Sequence, residues 1–437
     1  MTLVARVAEL TELARPRRLG EVSKVVGLSV TVTGVTSRIG DLIALGAENP
    51  TLAEVVAVDG SSCVCLPLGE MAGIGTGLQA QGTGSPLHIS VGEALRGRVL
   101  NGLGEPLDGS PLPDGMTRVT VDQAPPAALQ RQRVERPLSV GVRAIDSLIS
   151  VGRGQRMGIF AGSGVGKSSL MSMITRGTDA QITVVALIGE RGREVNEFLE
   201  DDLGPEGLAN AVVVVATSDQ PPMVRLRAAF VATRIAEYFR DAGQDVLLLM
   251  DSITRLATAQ REIGLSAGEP PASRGYPPSV FAMMPRLLER AGSGERGTIT
   301  GLYTVLVEGG DHDEPVADTA RSILDGHIVL DRKLATAGHF PSIEILESVS
   351  RVTNAVTTPE QQRLAREARQ LLAARRDVKE LVEIGAYVGG TNPRADRALA
   401  LWPALEGFLQ QSMTDQSTAD GAWTDLAAAL AAVPAGV

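Results

Sequence analysis

The sequence predicts an α/β protein: a parallel sheet buried on both faces, with a small β-barrel before it and helices after it. Three observations predict this order. Between Ser139 and Ser350, apolar runs of strand length alternate with helical stretches, and the runs lack the polar alternation of a half-exposed strand. Upstream, Glu21–Arg98 breaks into short β-rich runs punctuated by Gly, Asn-Pro and Asp-Gly. Downstream, Thr358–Leu409 keeps one apolar helical face through Leu364, Ala368, Leu371 and Leu372. A chain of 437 residues is longer than one core accommodates, which fits this division.

The elements follow in order. In Leu3–Ala14, the residues Leu3, Val7, Leu10 and Ala14 recur at helical spacing and Pro16 stops the helix. Such a helix either packs on its own domain as a frayed terminus or docks on a partner. The barrel strands are expected at Val22–Val32, Leu42–Leu45, Ala53–Val58 and Ser62–Leu66, with His88–Val91 as one more. Asn101–Pro137 carries six prolines and little periodicity, and reads as a linker laid along the next domain. The core strands are expected at Met157–Phe160, Ile182–Ile188, Ala211–Ala216, Val246–Met250, Ile299–Val307 and His327–Leu330. The core helices are expected at Ser168–Arg176, Glu194–Leu203, Val224–Asp241 and Ile253–Ile263. Ala267–Ser279, with Gly-Glu-Pro-Pro and Gly-Tyr-Pro-Pro, is a shaped loop, and Glu308–Asp318 is an acidic one. Ser412–Val437 is an alanine-rich tail with one short helix near Trp423. The resulting division is 1–19, a partner-docking helix; 20–98, the barrel; 99–357, the core, with 99–138 packing on it; and 358–437, helices and tail.

Composition excludes some function classes. A net charge of −10 argues against nucleic acid as the main partner, and Glu21–Arg98 offers no Phe, Tyr or Trp on which bases could stack. Cys63 and Cys65 are two apart on a strand and poorly placed to bridge each other, so buried thiols are expected. The four histidines, His88, His312, His327 and His339, show no metal-ligand spacing. Arg6, Glu9 and Glu12 interrupt the first residues, which rules out the apolar region of a signal peptide, and no apolar run approaches the ~20 residues that span a bilayer. A cytoplasmic location is expected, with any membrane association supplied by a partner.

The chemistry centres on Ala161–Ser169, Ala-Gly-Ser-Gly-Val-Gly-Lys-Ser-Ser, between an apolar strand and a helix. Gly162, Ser163, Gly164, Val165 and Gly166 supply a backbone that can bend its N–H groups inward, and the following helix presents its positive end to a phosphate. Lys167 is placed to reach the terminal phosphates, and Ser168, followed by Ser169, to bind Mg²⁺ through its hydroxyl. Ala161 stands where the pattern G-x-x-x-x-G-K-[ST] has its first glycine, which is tolerable if its φ is negative. Val246–Met250 delivers Asp251, either a carboxylate that holds Mg²⁺ through water or a helix N-cap. Glu190 and Arg191 follow another apolar strand. A carboxylate there can polarise an attacking water and an arginine can neutralise developing charge, although a surface ion-pair cluster explains the run equally well. Arg351, in Ser-Val-Ser-Arg-Val, gains interest because phosphoryl transfer benefits from an arginine supplied by a neighbour.

Together these blocks, with Gly275–Arg290 and Thr304–Asp331, resemble the type III secretion ATPases, relatives of the rotary ATP synthase head, and within them the flagellar export ATPases. The resemblance runs from about Gly20 to about Leu409. It implies a RecA-like P-loop core binding ATP and Mg²⁺, and a homohexameric ring with sites between subunits. It assigns Glu190 as catalytic carboxylate, Arg191 as a γ-phosphate contact, Asp251 as the Walker B acid with Arg255 close behind, and Arg351 as the finger reaching a neighbour's nucleotide. Phe340 matches the aromatic that stacks on adenine, and Tyr387 is a second candidate for that pocket. The implied partners are a stator-like regulatory export protein at Met1–Leu19, a central-stalk protein near Gly268–Pro278, a membrane export gate, and export substrates with their chaperones. The implied role is export for flagellum assembly, with an injectisome ATPase or a rotary-ATPase subunit as alternatives.

Overall fold

The computed structural model describes residues 19–307 and 314–432. The expected helix Leu3–Ala14 and residues 308–313 of the acidic loop lie outside them.

Six strands, β1 (Leu19–Val26), β2 (Ser29–Thr33), β3 (Asp41–Leu45), β4 (Thr51–Asp59), β5 (Ser62–Pro67) and β6 (Gln79–Pro86), close a barrel in the order β1-β2-β5-β4-β3-β6. Its interior is filled by Val22, Val30, Val32, Ile43, Leu45, Ala53, Val55 and Ala80, together with both cysteines. Cys63 and Cys65 are free buried thiols with Sγ atoms 3.8 Å apart. Two expectations are corrected here. Val22–Val32 is not one strand but a hairpin that reverses at Gly27 (φ 58°), pairing Val22 with Val32. His88–Val91, β7, leaves the barrel to pair with β9 (Thr117–Thr120). The sixth barrel strand is instead β6, whose Gly82, Gly84 and Pro86 hide its β character in the sequence.

The core holds all six expected strands: β10 (Arg156–Ala161), β11 (Ile182–Ile188), β12 (Ala211–Ala216), β13 (Asp245–Asp251), β14 (Thr298–Leu306) and β15 (Gly326–Leu330). With β8 (Val99–Asn101) and β16 (Val349–Ser350) they form a nine-stranded sheet in the order β16-β15-β10-β14-β13-β11-β12-β8, with Gly292–Ser293 paired beside β14. The six are mutually parallel and nearly all their residues are buried, which is why the sequence shows runs rather than alternation. The edges come from outside the expected set. β8, just ahead of the proline-rich segment, adds a parallel edge to β12, and β16 adds an antiparallel edge to β15.

The helices α1 (Lys167–Gly177), α2 (Pro222–Asp241) and α3 (Ile253–Ser266) stand at the expected places. The expected Glu194–Leu203 helix is an α-helix over Gly192–Glu197 that widens to a π-turn over Phe198–Leu203. Pro278 opens a further helix, Pro278–Leu288, and another, Pro315–Ile323, begins within the last four residues of the expected acidic loop Glu308–Asp318. Proline at a first helical position costs nothing because its N–H would have no partner there.

The barrel is tied to the core by an ion pair taken out of water. Arg227 on α2 and Glu54 on β4 are 7% and 6% exposed. Arg227 donates from Nε to Glu54 at 2.6 Å and from Nη1 to Asp122 at 2.9 Å. Burial pushes the Glu54 carboxyl up, opposed by the Arg227 charge. Beyond the sheet, Pro359–Glu383, Pro393–Leu409 and Ala419–Ala431 form the helical region. Its Leu371, Leu401 and Trp423 share one apolar cluster with Ile159 and Leu170 of the core. Thr358 and Gln361 close a capping box at its start.

Candidate nucleotide site

The glycine-rich loop leaves β10 after Ala161. Ala161 is the strand's last residue, is buried, and is not among the residues with positive φ, so the missing glycine costs nothing. Gly164 (φ 72°) and Gly166 (φ 89°) take the left-handed turns that a side chain would strain. α1 begins at Lys167, directly after Gly166, so its first N–H groups face the loop. A cavity of 890 Å³, lined by Phe160, Gly162, Val165 and Arg332 among others, opens against the loop.

Strand order decides what meets Lys167. β14 is inserted between β10 and β13, and β11 lies beyond β13. The carboxyl ends of these strands carry the loop, Asp251 and Glu190. Lys167 Nζ lies 2.5 Å from Asp251 Oδ1 and 3.2 Å from Glu190 Oε1. Both carboxylates are buried, at 3% and 7% exposure. Thr304, on the inserted strand, donates its hydroxyl to Asp251 at 2.6 Å. Arg255 on α3 grips Glu190 with Nε and Nη2, both at 3.2 Å. The cluster thus holds two cations and two carboxylates. The N-cap of α3 is Ser252, whose hydroxyl accepts from the Arg255 N–H at 3.3 Å, so Asp251 is free of that duty.

Some expected residues are not brought to this cluster. Arg191 is largely exposed and pairs with Glu194 at 3.4 Å along its own helix. Arg351 lies at the other end of the sheet. Its N–H bonds to the Asp325 carbonyl, and the Asp325 N–H to that of Arg156, the first residue of β10. Five residues of extended strand, about 17 Å, separate that level from the phosphate loop, more than an arginine side chain spans. Phe340 does reach the loop: a Cβ built on Gly166 would lie 3.4 Å from its ring, which is half exposed. The Tyr387 hydroxyl instead bonds to Asp396 at 2.8 Å on its own helical hairpin.

Sequence reasoning missed Thr304 as a partner of Asp251 and had no partner for Arg255. A hydroxyl within a buried apolar run was the available signal for the first. Ser168 is exposed at the first turn of α1, and with Asp251 it offers the hard oxygen donors that suit Mg²⁺. Among the described residues no cluster of three or more His, Cys, Asp or Glu is grouped to hold a metal.

Residues 141–350 match the family model of the ATP synthase alpha/beta family, nucleotide-binding domain, and residues 357–428 that of the T3SS EscN ATPase C-terminal domain. The flagellum-specific ATP synthase of Bacillus subtilis (strain 168) is 52% identical over 404 residues, covering 92% of each chain. The chain belongs to the family of flagellum-specific ATP synthases and type 3 secretion system ATPases. Another member, the type 3 secretion system ATPase of Xanthomonas euvesicatoria, is 49% identical over 414 residues, 94% of this chain and 93% of that one. The fold agrees along almost its whole length. It superposes with a TM-score of 0.88, at 45% identity, on the assembled ATPase EscN in complex with its central stalk EscO, from the enteropathogenic E. coli type III secretion system; 94% of this chain and all of that chain are covered. Like the family, this chain is an ATP hydrolase, and the loop Ala161–Ser169 lies within the matched nucleotide-binding domain.

Proposed function

We propose that the chain acts as a homohexameric Mg²⁺-dependent ATPase that energises flagellar protein export. One observation carries the assembly: Lys167, Glu190 and Asp251 meet at one end of the sheet, while Arg351 stands at the other. A single chain holds every part but cannot close its own site. A ring of identical copies can, through heterologous contacts that place one chain's Arg351 at its neighbour's loop.

In this reading Glu190, oriented by Arg255, polarises the attacking water. Lys167, Arg191 and the neighbour's Arg351 neutralise charge on the transferring phosphoryl group. Arg191, exposed on its own helix, is available to turn toward a bound γ-phosphate. Ser168 and Asp251 would hold Mg²⁺, which supplies charge neutralisation at the phosphates. Phe340 offers its exposed face to adenine, whereas Tyr387 is the weaker candidate because Asp396 holds its hydroxyl.

The flagellar role is supported by the higher identity to the B. subtilis flagellar relative, with an injectisome role as the second reading. By analogy with the EscN–EscO complex, a central stalk is the expected partner of the loop around Gly268–Pro278. A regulatory export protein at residues 1–19, the membrane export gate, and substrates with their chaperones complete the proposed partners. No described helix is long and apolar enough to cross a membrane. In this proposal the chain lies in the cytoplasm, held at the export apparatus by those partners. The division 1–19, 20–98, 99–357 and 358–437 is kept as the working domain scheme.

The test is ATPase rate against protein concentration, with Arg351→Ala and Lys167→Ala proteins assayed singly and mixed. A specific rate that rises with concentration, and partial recovery in the mixture, are expected. A flat rate without recovery would withdraw both the finger and the ring.

A further inference from the structure

Residues 331–342, which follow β15 and contain one helical turn over Arg332–Thr336 capped by Asp331, fold against the phosphate-binding loop. Its base is closed by the Asp331 N–H on the Ser342 carbonyl at 2.8 Å and by the bridge from Leu330 to Ile343. From this frame two side chains reach backbone carbonyls of the phosphate loop. Ser342, 1% exposed, donates its hydroxyl to the Val165 carbonyl at 2.6 Å. Arg332 donates from Nη2 to the Ser163 carbonyl at 3.0 Å. Phe340, on the same frame, packs against Gly166.

Peptide geometry gives these contacts a direction. In a planar trans peptide the C=O and the next N–H point to opposite sides. Fixing the Ser163 carbonyl toward Arg332 turns the Gly164 N–H the other way. Fixing the Val165 carbonyl toward Ser342 does the same for the Gly166 N–H. Both donors belong to glycines with positive φ, whose peptides are otherwise the easiest to rotate. A rotated peptide would aim a carbonyl, not an N–H, at an anion.

We propose that Ser342 and Arg332 are positioning residues that lock two peptides of the phosphate loop with their N–H groups turned toward the phosphates, and so set the affinity for the phosphate chain independently of the base. The proposal rests on the nucleotide reading of Ala161–Ser169 and adds to it the residues that hold the loop in its binding-competent form. Ser342 carries the larger effect, because its target, Val165, is buried and no water can replace the lost donor. Arg332 is exposed, and water replaces it in part.

The test is calorimetric titration of the full chain with Mg·ADP and with Mg·pyrophosphate, which has phosphates but no base. Ser342→Ala is expected to weaken both about tenfold, and Arg332→Gln both by about threefold, as the loss of a buried and of an exposed hydrogen bond requires. Ser342→Thr, which keeps the hydroxyl, restores affinity. Phe340→Ala weakens ADP and spares pyrophosphate. If Ser342→Ala folds poorly, the exposed Arg332→Gln variant still decides the matter. Lowered melting temperatures with unchanged pyrophosphate affinity in both variants would overturn the proposal while leaving the nucleotide site standing. Failure of the wild type to bind ADP would instead overturn the nucleotide reading, and this inference with it.

Discussion

Replacing Lys167 by methionine deletes a largely but not fully buried cation, 12% exposed, that two carboxylates share. Without it, Glu190 still has Arg255, at 3.2 Å through two nitrogens. Asp251 keeps only the Thr304 hydroxyl among its side-chain partners described above, at 3% exposure. The cost therefore falls on Asp251. Removing one partner of a buried ion pair costs about 3–5 kcal/mol, and the surviving hydroxyl points to the lower end, about 3 kcal/mol. The double variant Lys167→Met/Asp251→Asn removes the stranded charge and should regain most of that loss. Turnover should fall at least about 10³-fold in both, because neither can neutralise the transferring phosphate. The assay is urea denaturation of nucleotide-free protein, comparing midpoints at equal slope, with phosphate release measured alongside. A single variant as stable as the wild type, or a double variant no better than the single, would refute the picture of Lys167 lodged between the two carboxylates before nucleotide arrives.

Two further predictions concern the frame around the site. Glu54→Gln strands part of the Arg227 charge between barrel and core, with the half-exposed Asp122 as its remaining carboxylate; a loss of about 2–4 kcal/mol is expected in denaturation, and Glu54→Leu/Arg227→Met should be markedly more stable than either single change. Arg98 beside Asp108 holds that carboxyl down to about 2, joining the edge strand β8 to the segment behind it. Because the folded value is depressed below the ordinary one near 4, the pair's stabilisation is fully present above about pH 4 and is lost as pH falls through about 2. The melting-temperature gap between wild type and Asp108→Asn should be constant at neutral pH and close on acidification; a gap that widens would contradict the assignment.

The sequence by itself determined the elements whose signal is local. A strand buried on both faces must be an apolar run, so Ile182–Ile188 and Ala211–Ala216 were read to the residue. Glycines, a lysine and a serine in fixed order between strand and helix have few other uses, and they marked the loop after β10 at which Lys167 meets Glu190 and Asp251. Elements with mixed signals were lost. β6 is a barrel strand because β1 and β3 flank it, not because its own glycine-rich residues prefer it. β8 is a sheet edge because β12 offers unpaired backbone, although a three-residue run leading into a proline-rich segment carries little strand signal of its own. Partnership across the sheet was likewise decided by tertiary structure. Nothing in the spacing of Lys167, Glu190, Asp251, Arg255 and Thr304 says that they converge, because convergence depends on strand order, and strand order is set by how crossovers pack rather than by the strands themselves. The same holds for Arg351: its residue type suggested a finger, but only the sheet placed it at the end where its own chain cannot use it.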